Sequence, residues 1–375
     1  MDSRSLQTAS GRGSITRIDI PAALATALLA LTGIVMALLN ARAYGQDVFA
    51  IDSLFVRMVI WVAIGTIVYL ITIRTNWQWV RSFAWPLYAA NILLLVVTLV
   101  YGVDSGGNAR AIAIFGITVQ SSEISKVIAL IALAAVLTRI GHEHGGLGDV
   151  VIACAVIGPL FALVAAQPDL GTALVLVCAL FGTLLLSGVA SRWIAGLATF
   201  GAAVVPIAWV FVVREYQKER LLAFIDPNAD PAGPKYQLTR SIRAIAGGGL
   251  FGAGFDGTAS QAPLPVQESD FVFAALVRAF GLVGGLLIIG LLALLVARLL
   301  LHAWNSTDAF GVILAGGMAT IILFQAVVNI GMNLGVAPIT GIPLPFVSYG
   351  GASVVSLAFG LGLVQSHRTH GGFGG

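Results

Sequence analysis

The feature that most constrains this chain is the recurrence of long apolar runs, at 20–39, 54–73, 83–101, 122–137, 150–166, 170–189, 194–213, 271–301, 309–333 and 346–365. A helix that crosses hydrocarbon needs about 20 mostly apolar residues. The runs therefore predict an all-α polytopic membrane protein with about ten transmembrane helices. The fourth run is short and polar at its start. The fifth and sixth are separated only by Gln167, Pro168 and Asp169. Only 10% of the 375 residues are charged and 58% are hydrophobic, whereas soluble domains are about a quarter charged. That is too little charge to cover a globular surface, so the bilayer is the solvent. The first run is too long for a signal-peptide core and lacks a cleavage site, which makes it an anchor. Cys154 and Cys178 each lie inside an apolar run and read as small buried residues.

Ten crossings return both termini to one side. The segments sharing that side carry Arg4, Arg12, Arg17, Arg74, Arg81, Arg139, Arg192, Arg298 and Arg368, against Arg42, Arg57 and Arg110 in the short segments opposite. Basic residues concentrate in cytoplasmic segments. The expected order is a cytoplasmic tail at 1–19, a membrane domain at 20–366 and a cytoplasmic tail at 367–375.

One connection, 214–270, is long, polar and extracytoplasmic by this count. It holds six basic and seven acidic residues together with several Pro and Gly. Polar loops of this length usually serve as lids or binding elements.

Several charged residues are candidates for chemistry, each with a plainer alternative. Glu123 and Lys126 open the fourth run at i, i+3 spacing, so they share a helix face. They form either a structural ion pair or part of a polar cavity, since charge at membrane depth is costly. Asp169 follows Pro168 and precedes an apolar run, as a helix N-cap would or as a cavity carboxylate. Asp270 closes the charged loop and opens the run at 271. There a carboxylate is favoured by the helix dipole, and it also stands where a lipid-linked head group can reach it. A general base needs that access. Arg110, Arg240 and Arg243 lie on the outer side. The latter two are spaced for one helix face, as phosphate-binding cations or as a solvated surface. Residues 329–351 are dense in Gly and Pro at membrane depth. Irregular backbone there must be buried or line a cavity, although no catalytic side chain stands out in it.

That segment carries a resemblance. Asn329-Ile330-Gly331-Met332, followed by Pro338-Ile339-Thr340-Gly341-Ile342-Pro343-Leu344-Pro345-Phe346-Val347-Ser348-Tyr349-Gly350-Gly351, resembles the signature of the SEDS (shape, elongation, division and sporulation) family, which includes RodA-like and FtsW-like proteins. Gln120-Ser121-Ser122-Glu123 with Lys126, Gln167-Pro168-Asp169-Leu170-Gly171-Thr172, Arg220-Leu221-Leu222-Ala223-Phe224 with Asp226-Pro227, Gly248–Phe255 and Ser269-Asp270-Phe271-Val272-Phe273-Ala274 are similar to further family motifs in the same order. There are departures. Val277-Arg278-Ala279-Phe280-Gly281 stands where the family carries an acid pair, Arg110 lacks a second arginine beside it, and Ser121 replaces a proline.

The resemblance, closest in kind to RodA, implies a peptidoglycan glycosyltransferase of the bacterial cytoplasmic membrane. Such a protein polymerises lipid II into glycan strands for elongation, shape or division, beside a class B penicillin-binding protein. It implies Asp270 as the essential carboxylate. Arg110, Glu123, Lys126, Asp169, Arg240 and Arg243 are the substrate-binding candidates, with a divalent cation (Mg or Mn) as a further participant. Lipid II, the nascent strand, the synthase and membrane lipids are the expected partners, and nucleic acid is not. Two alternatives stay open: a flippase for the same lipid-linked precursor, and a non-catalytic scaffold for the synthase.

Overall fold

The computed structural model describes residues 18–104, 109–114, 117–138, 145–211, 213–225, 233–254, 264 and 268–370. Arg4, Arg12, Arg17, Arg139 and Asp226, with most of the expected N-terminal tail, lie outside the described residues, as does the side chain of Arg110.

A helix stands at every one of the ten apolar runs. They are α1 (Ile20–Ala43), α2 (Leu54–Arg74), α4 (Ala84–Tyr101), α5 (Ser121–Leu137), α6 (Leu147–Ala166), α7 (Leu170–Leu186), α8 (Ser191–Phe211), α11 (Val272–Trp304), α12 (Ala309–Leu334) and α13 (Gly351–Thr369). Three more complete the described set: α3 (Trp77–Ser82), α9 (Glu215–Ile225) and α10 (Pro234–Gly247). Start signals recur. Asp19, Ser53, Asn76, Asp169 and Asp308 each accept a hydrogen bond from an amide of the first turn of their helix, satisfying a donor that has no partner within the helix.

By length and composition, α1, α2, α4, α6, α8, α11 and α12 can cross a membrane, and α7 is a shorter apolar helix. Length and composition alone thus qualify seven of the expected ten. The reason lies in packing. Helices α5 and α13 are buried along most of their length, so protein and not lipid surrounds them, and they carry Ser, Glu, Lys, Gln and His. By contrast α8 buries only Ile194 and presents its apolar sides outward.

Two features depart from a simple bundle. Three short strands form a small antiparallel sheet in the order β1 (Val103–Asp104), β2 (Ala109–Ile114), β3 (Ile117–Gln120), with Ala111 opposite Gln120. The run that reads as one helix from 271 is broken at Gly281, whose φ of 69° and ψ of −169° are non-helical. A Cβ there would lie 2.3 Å from the carbonyl oxygen of Leu250, so only glycine lets the two backbones meet. The break is stitched. Leu282 N donates to Gly249 O at 2.9 Å, Val283 N to Leu250 O at 3.2 Å, and Ala253 N to Arg278 O at 2.9 Å. These bonds occupy groups that the interrupted helix leaves without partners. The first half, from Val272 to Ala279, is buried throughout.

The far end of the bundle is tied by charge. Asp19 accepts from Arg298 and from Arg368, each at 2.9 Å, so the two ends of the described chain meet. Nearby, His367 Nε2 lies 2.7 Å from Asp308 Oδ2, and His302 Nε2 lies 3.2 Å from His367 Nδ1. Asp270 precedes the start of α11 and Arg298 nears its other end, which puts this cluster and Asp270 at opposite ends of one element.

Candidate active site

The Gly- and Pro-rich stretch after α12 does not supply a reactive group; it builds a cradle. Ser348 Oγ donates to Ser269 O at 2.7 Å, and Tyr349 N donates to Glu268 O at 2.8 Å. Glu268 also accepts from the Tyr44 hydroxyl at 2.5 Å. The next carbonyl, that of Asp270, accepts from Asn329 Nδ2 at 3.2 Å and Asn333 Nδ2 at 3.0 Å. Asn329 Nδ2 also donates to Ile342 O at 2.8 Å. Residues 268–270 are therefore held at three successive carbonyls. Each would cost roughly 1–3 kcal/mol if buried without its donor.

Of the two readings of Asp270, helix cap or accessible carboxylate, the structure does not show the cap. Helix α11 starts at Val272 with Phe271 in the cap position and no side-chain cap bond. The first-turn amide of Ala274 instead donates to Asn333 Oδ1 at 3.0 Å. Asn333 thus takes over the capping duty, and the half-buried Asp270 carboxylate lines a cavity. Ser269 Oγ donates to its Oδ1 at 3.1 Å.

That cavity has a volume of about 430 Å³ and is walled by α5, α7, α9, the 339–343 segment and the start of α13. Ligand sites commonly measure about 300–1,000 Å³. Of the residues singled out from sequence, Glu123, Asp169 and Asp270 line it together. Asp169 both caps α7, accepting from Thr172 N at 3.1 Å, and faces the cavity, where Gln120 and Ser122 donate to it at 2.8 and 2.7 Å. The two readings of that residue are not exclusive. Lys126 stands behind the wall, fully buried, and donates to Glu123 Oε2 at 2.6 Å. It orients Glu123 without reaching the cavity.

The structure does not bring Arg240 or Arg243 to the site. Arg240 lies over the Tyr236 ring at 5.5 Å and donates to its hydroxyl at 3.1 Å. Arg243 is an exposed residue of α10. Neither lines the cavity. Helix α10 is amphipathic, and its inner face is fixed by Ser241 Oγ donating to Asn333 O at 2.9 Å. Arg110 belongs to β2, next to the cavity-lining Ala111.

Sequence reasoning missed Arg220, the one cationic residue among the described residues lining the cavity. Its signal was its place in the motif at 220–224. Helix α9, which carries it, is docked through Tyr216 and Gln217, donating to Pro168 O at 2.8 and 3.4 Å.

Among the described residues no group of three or more His, Cys, Asp or Glu is arranged to hold a metal. The cavity carboxylates are hard oxygen donors of the kind that suit Mg²⁺, which usually binds through one or two carboxylates plus substrate phosphates.

The FtsW/RodA/SpoVE family of cell cycle proteins matches residues 21–371. The peptidoglycan glycosyltransferase MrdB of Escherichia coli K12 is 36% identical over 349 residues, covering 92% of this chain and 93% of that one. A solved chain from a study of structural coordination of polymerization and crosslinking by a peptidoglycan synthase complex superposes with a TM-score of 0.79 at 29% identity, covering 94% of this chain and 97% of the other. The rod shape determining protein RodA of Thermus thermophilus superposes with a TM-score of 0.69 at 26% identity, over 94% and 96% of the two chains.

Proposed function

The chain belongs to the FtsW/RodA/SpoVE family of cell cycle proteins, and from that premise we propose that it is a peptidoglycan glycosyltransferase polymerising lipid II at the outer face of the cytoplasmic membrane. The observation that carries this reading is the cavity in which Glu123, Asp169 and Asp270 meet at one end of an apolar bundle. Carboxylates gathered within an apolar membrane bundle are costly unless they pair or face a polar cavity, and such residues mark functional sites.

In the proposed reaction the 4-hydroxyl of the acceptor's terminal GlcNAc attacks MurNAc C1 of the growing strand. Asp270 accepts the hydroxyl proton. The O4–C1 bond forms, and the bond from C1 to the lipid diphosphate breaks with its electron pair. A positioned base contributes typically ~10²–10⁴-fold. Glu123, oriented by Lys126, and Asp169, fixed by three donors, shape the opposite wall. A Mg or Mn ion held by Asp270 or Glu123 would neutralise diphosphate charge.

The proposed topology puts both termini and the cluster around Asp19 in the cytoplasm, and residues 214–270 outside. The excess of arginine in the segments sharing the termini's side supports it. The proposed partner is a class B penicillin-binding protein, which would cross-link the strands as they leave the cavity.

The test is incubation of the purified chain with lipid II in detergent micelles, with and without that partner. Glycan chains are the expected product. A protein that only flips lipid II, or only scaffolds a synthase, makes none under these conditions.

A further inference from the structure

The cavity's single described cation faces its candidate base across a gap that a glycine keeps open. Gly341 has φ +74°, a conformation that side chains other than glycine's rarely adopt. A Cβ built on it would lie 3.5 Å from Arg220 Nη1 and 3.6 Å from Asp270 Oδ2. The guanidinium and the carboxylate thus converge on one small volume, yet no ion pair closes between them. Among the described residues Arg220 makes no hydrogen bond or ion pair at all. Neighbouring cations are committed elsewhere: Lys126 to Glu123, Lys218 to Glu215 at 2.8 Å and Arg240 to Tyr236.

We propose that Arg220 is the diphosphate-holding residue of the site. Resting on the glycosyltransferase reading, it receives the anionic leaving group while Asp270 takes the acceptor's proton. The geometry suits that division of labour. The attacked carbon carries both the incoming hydroxyl and the departing phosphate oxygen, so base and anion holder must face one volume a few ångströms wide without neutralising each other. A guanidinium offers a fork of donors matched to phosphate oxygens. The diphosphate leaves with the electron pair of the C1–O bond, and charge developing there is what a preorganised donor stabilises most. Arg220 stands on α9, whose anchor is Pro168, next to Asp169. The same docking therefore ties the anion holder to the rest of the cavity wall.

The experiment compares Arg220→Gln, Arg220→Lys and Asp270→Asn in the full-length detergent-purified protein. It measures lipid II polymerisation, binding of undecaprenyl pyrophosphate as probe, and thermal unfolding. Arg220→Gln is expected to lower kcat by about 10²–10³-fold, the loss usual for one preorganised donor, and to weaken the probe at least about tenfold. Arg220→Lys, which keeps the charge without the fork, is expected to fold and to recover part of both. Asp270→Asn is expected to stop turnover and leave probe binding intact. Wild-type kcat or wild-type probe affinity in folded Arg220→Gln overturns the assignment. So does wild-type behaviour of Arg220→Lys should the glutamine variant not fold, or a drop in unfolding temperature with kcat unchanged. Absence of glycan from the wild-type protein sinks the glycosyltransferase reading itself, an active Asp270→Asn removes Asp270 as the base, and an inactive Asp270→Asn beside an active Arg220→Gln removes only Arg220.

Discussion

Asn333 and Asp270, 63 residues apart, are joined by a 3.0 Å hydrogen bond from the asparagine amide to the aspartate's backbone carbonyl. The same side chain caps the helix that follows through Ala274. One residue of α12 thus fixes the main chain of the candidate base and leaves its carboxylate to the cavity. Asn333→Ala is expected to cost about 1–3 kcal/mol by stranding buried groups and to reduce polymerisation by more than this loss of folded protein explains. Thermal unfolding and specific activity of the folded fraction measure the two effects separately.

The buried Glu123–Lys126 pair yields a double-mutant prediction. Removing one partner leaves an uncompensated buried charge, typically costing ~3–5 kcal/mol, whereas replacing both with uncharged groups is often near neutral. Glu123→Gln and Lys126→Met should each lower the unfolding temperature more than the double variant does. If the double variant folds well and remains inactive, the pair serves the reaction; if it regains activity, the pair is structural.

Gly281 and Gly252 meet backbone to backbone where α11 breaks. A Cβ at Gly252 would lie 2.2 Å from the Ala279 carbonyl oxygen. Gly281→Ala should therefore carry the ~1–3 kcal/mol cost of a positive-φ, extended-ψ conformation open essentially only to glycine plus the displacement of the 247–254 segment. Loss of monodisperse protein on size-exclusion chromatography is the expected readout. Gly290→Ala, in open space on the same helix, should behave as wild type.

At the far end, Asp308 gives a pH dependence. Burial pushes its carboxyl upward, but hydrogen bonds from His367 and from the Gly311 and Phe310 amides, with the charge of His367, outweigh this and hold it below the usual 3.8. A depressed pKa means the ionised form stabilises the fold. That contribution is present above about pH 4 and fades as pH falls through the lowered value. The gap in unfolding temperature between wild type and Asp308→Asn should be open at pH 7 and close in acid below pH 4. A gap independent of pH would contradict it.

Much of this architecture was legible in the sequence because lipid imposes a simple rule on helix length and polarity. All ten runs mark helices. The rule fails where protein replaces lipid as the neighbour, which is why α5 and α13 bury Glu123, Lys126 and His367. It also fails where a break is satisfied by a distant segment, as Gly281 is by 249–253. Glu123 stands out in the sequence as charge at membrane depth, Asp169 as an acid between two apolar runs, and Asp270 as the acid where the long loop meets the membrane; the three line one cavity. For Arg240 and Arg243 the sequence leaves phosphate binding and a solvated surface both open, because i, i+3 spacing says that two residues share a face without saying where the face points; neither lines the cavity. Arg220 is one loop arginine among six basic residues, marked out only by its place in the motif at 220–224, and the carboxylate across the gap from it lies 50 positions away. The role of 329–351 was hidden for the same reason, since it acts through amides and carbonyls that hold Glu268, Ser269 and Asp270.

The central claim is that Asp270 performs the chemistry. Its most direct measurement is the rate of glycan formation from lipid II in detergent by purified Asp270→Asn, compared with wild type at equal folded protein and with the same synthase partner. The expected result is loss of product with unfolding temperature and undecaprenyl pyrophosphate binding preserved. Glycan formation at the wild-type rate would contradict it.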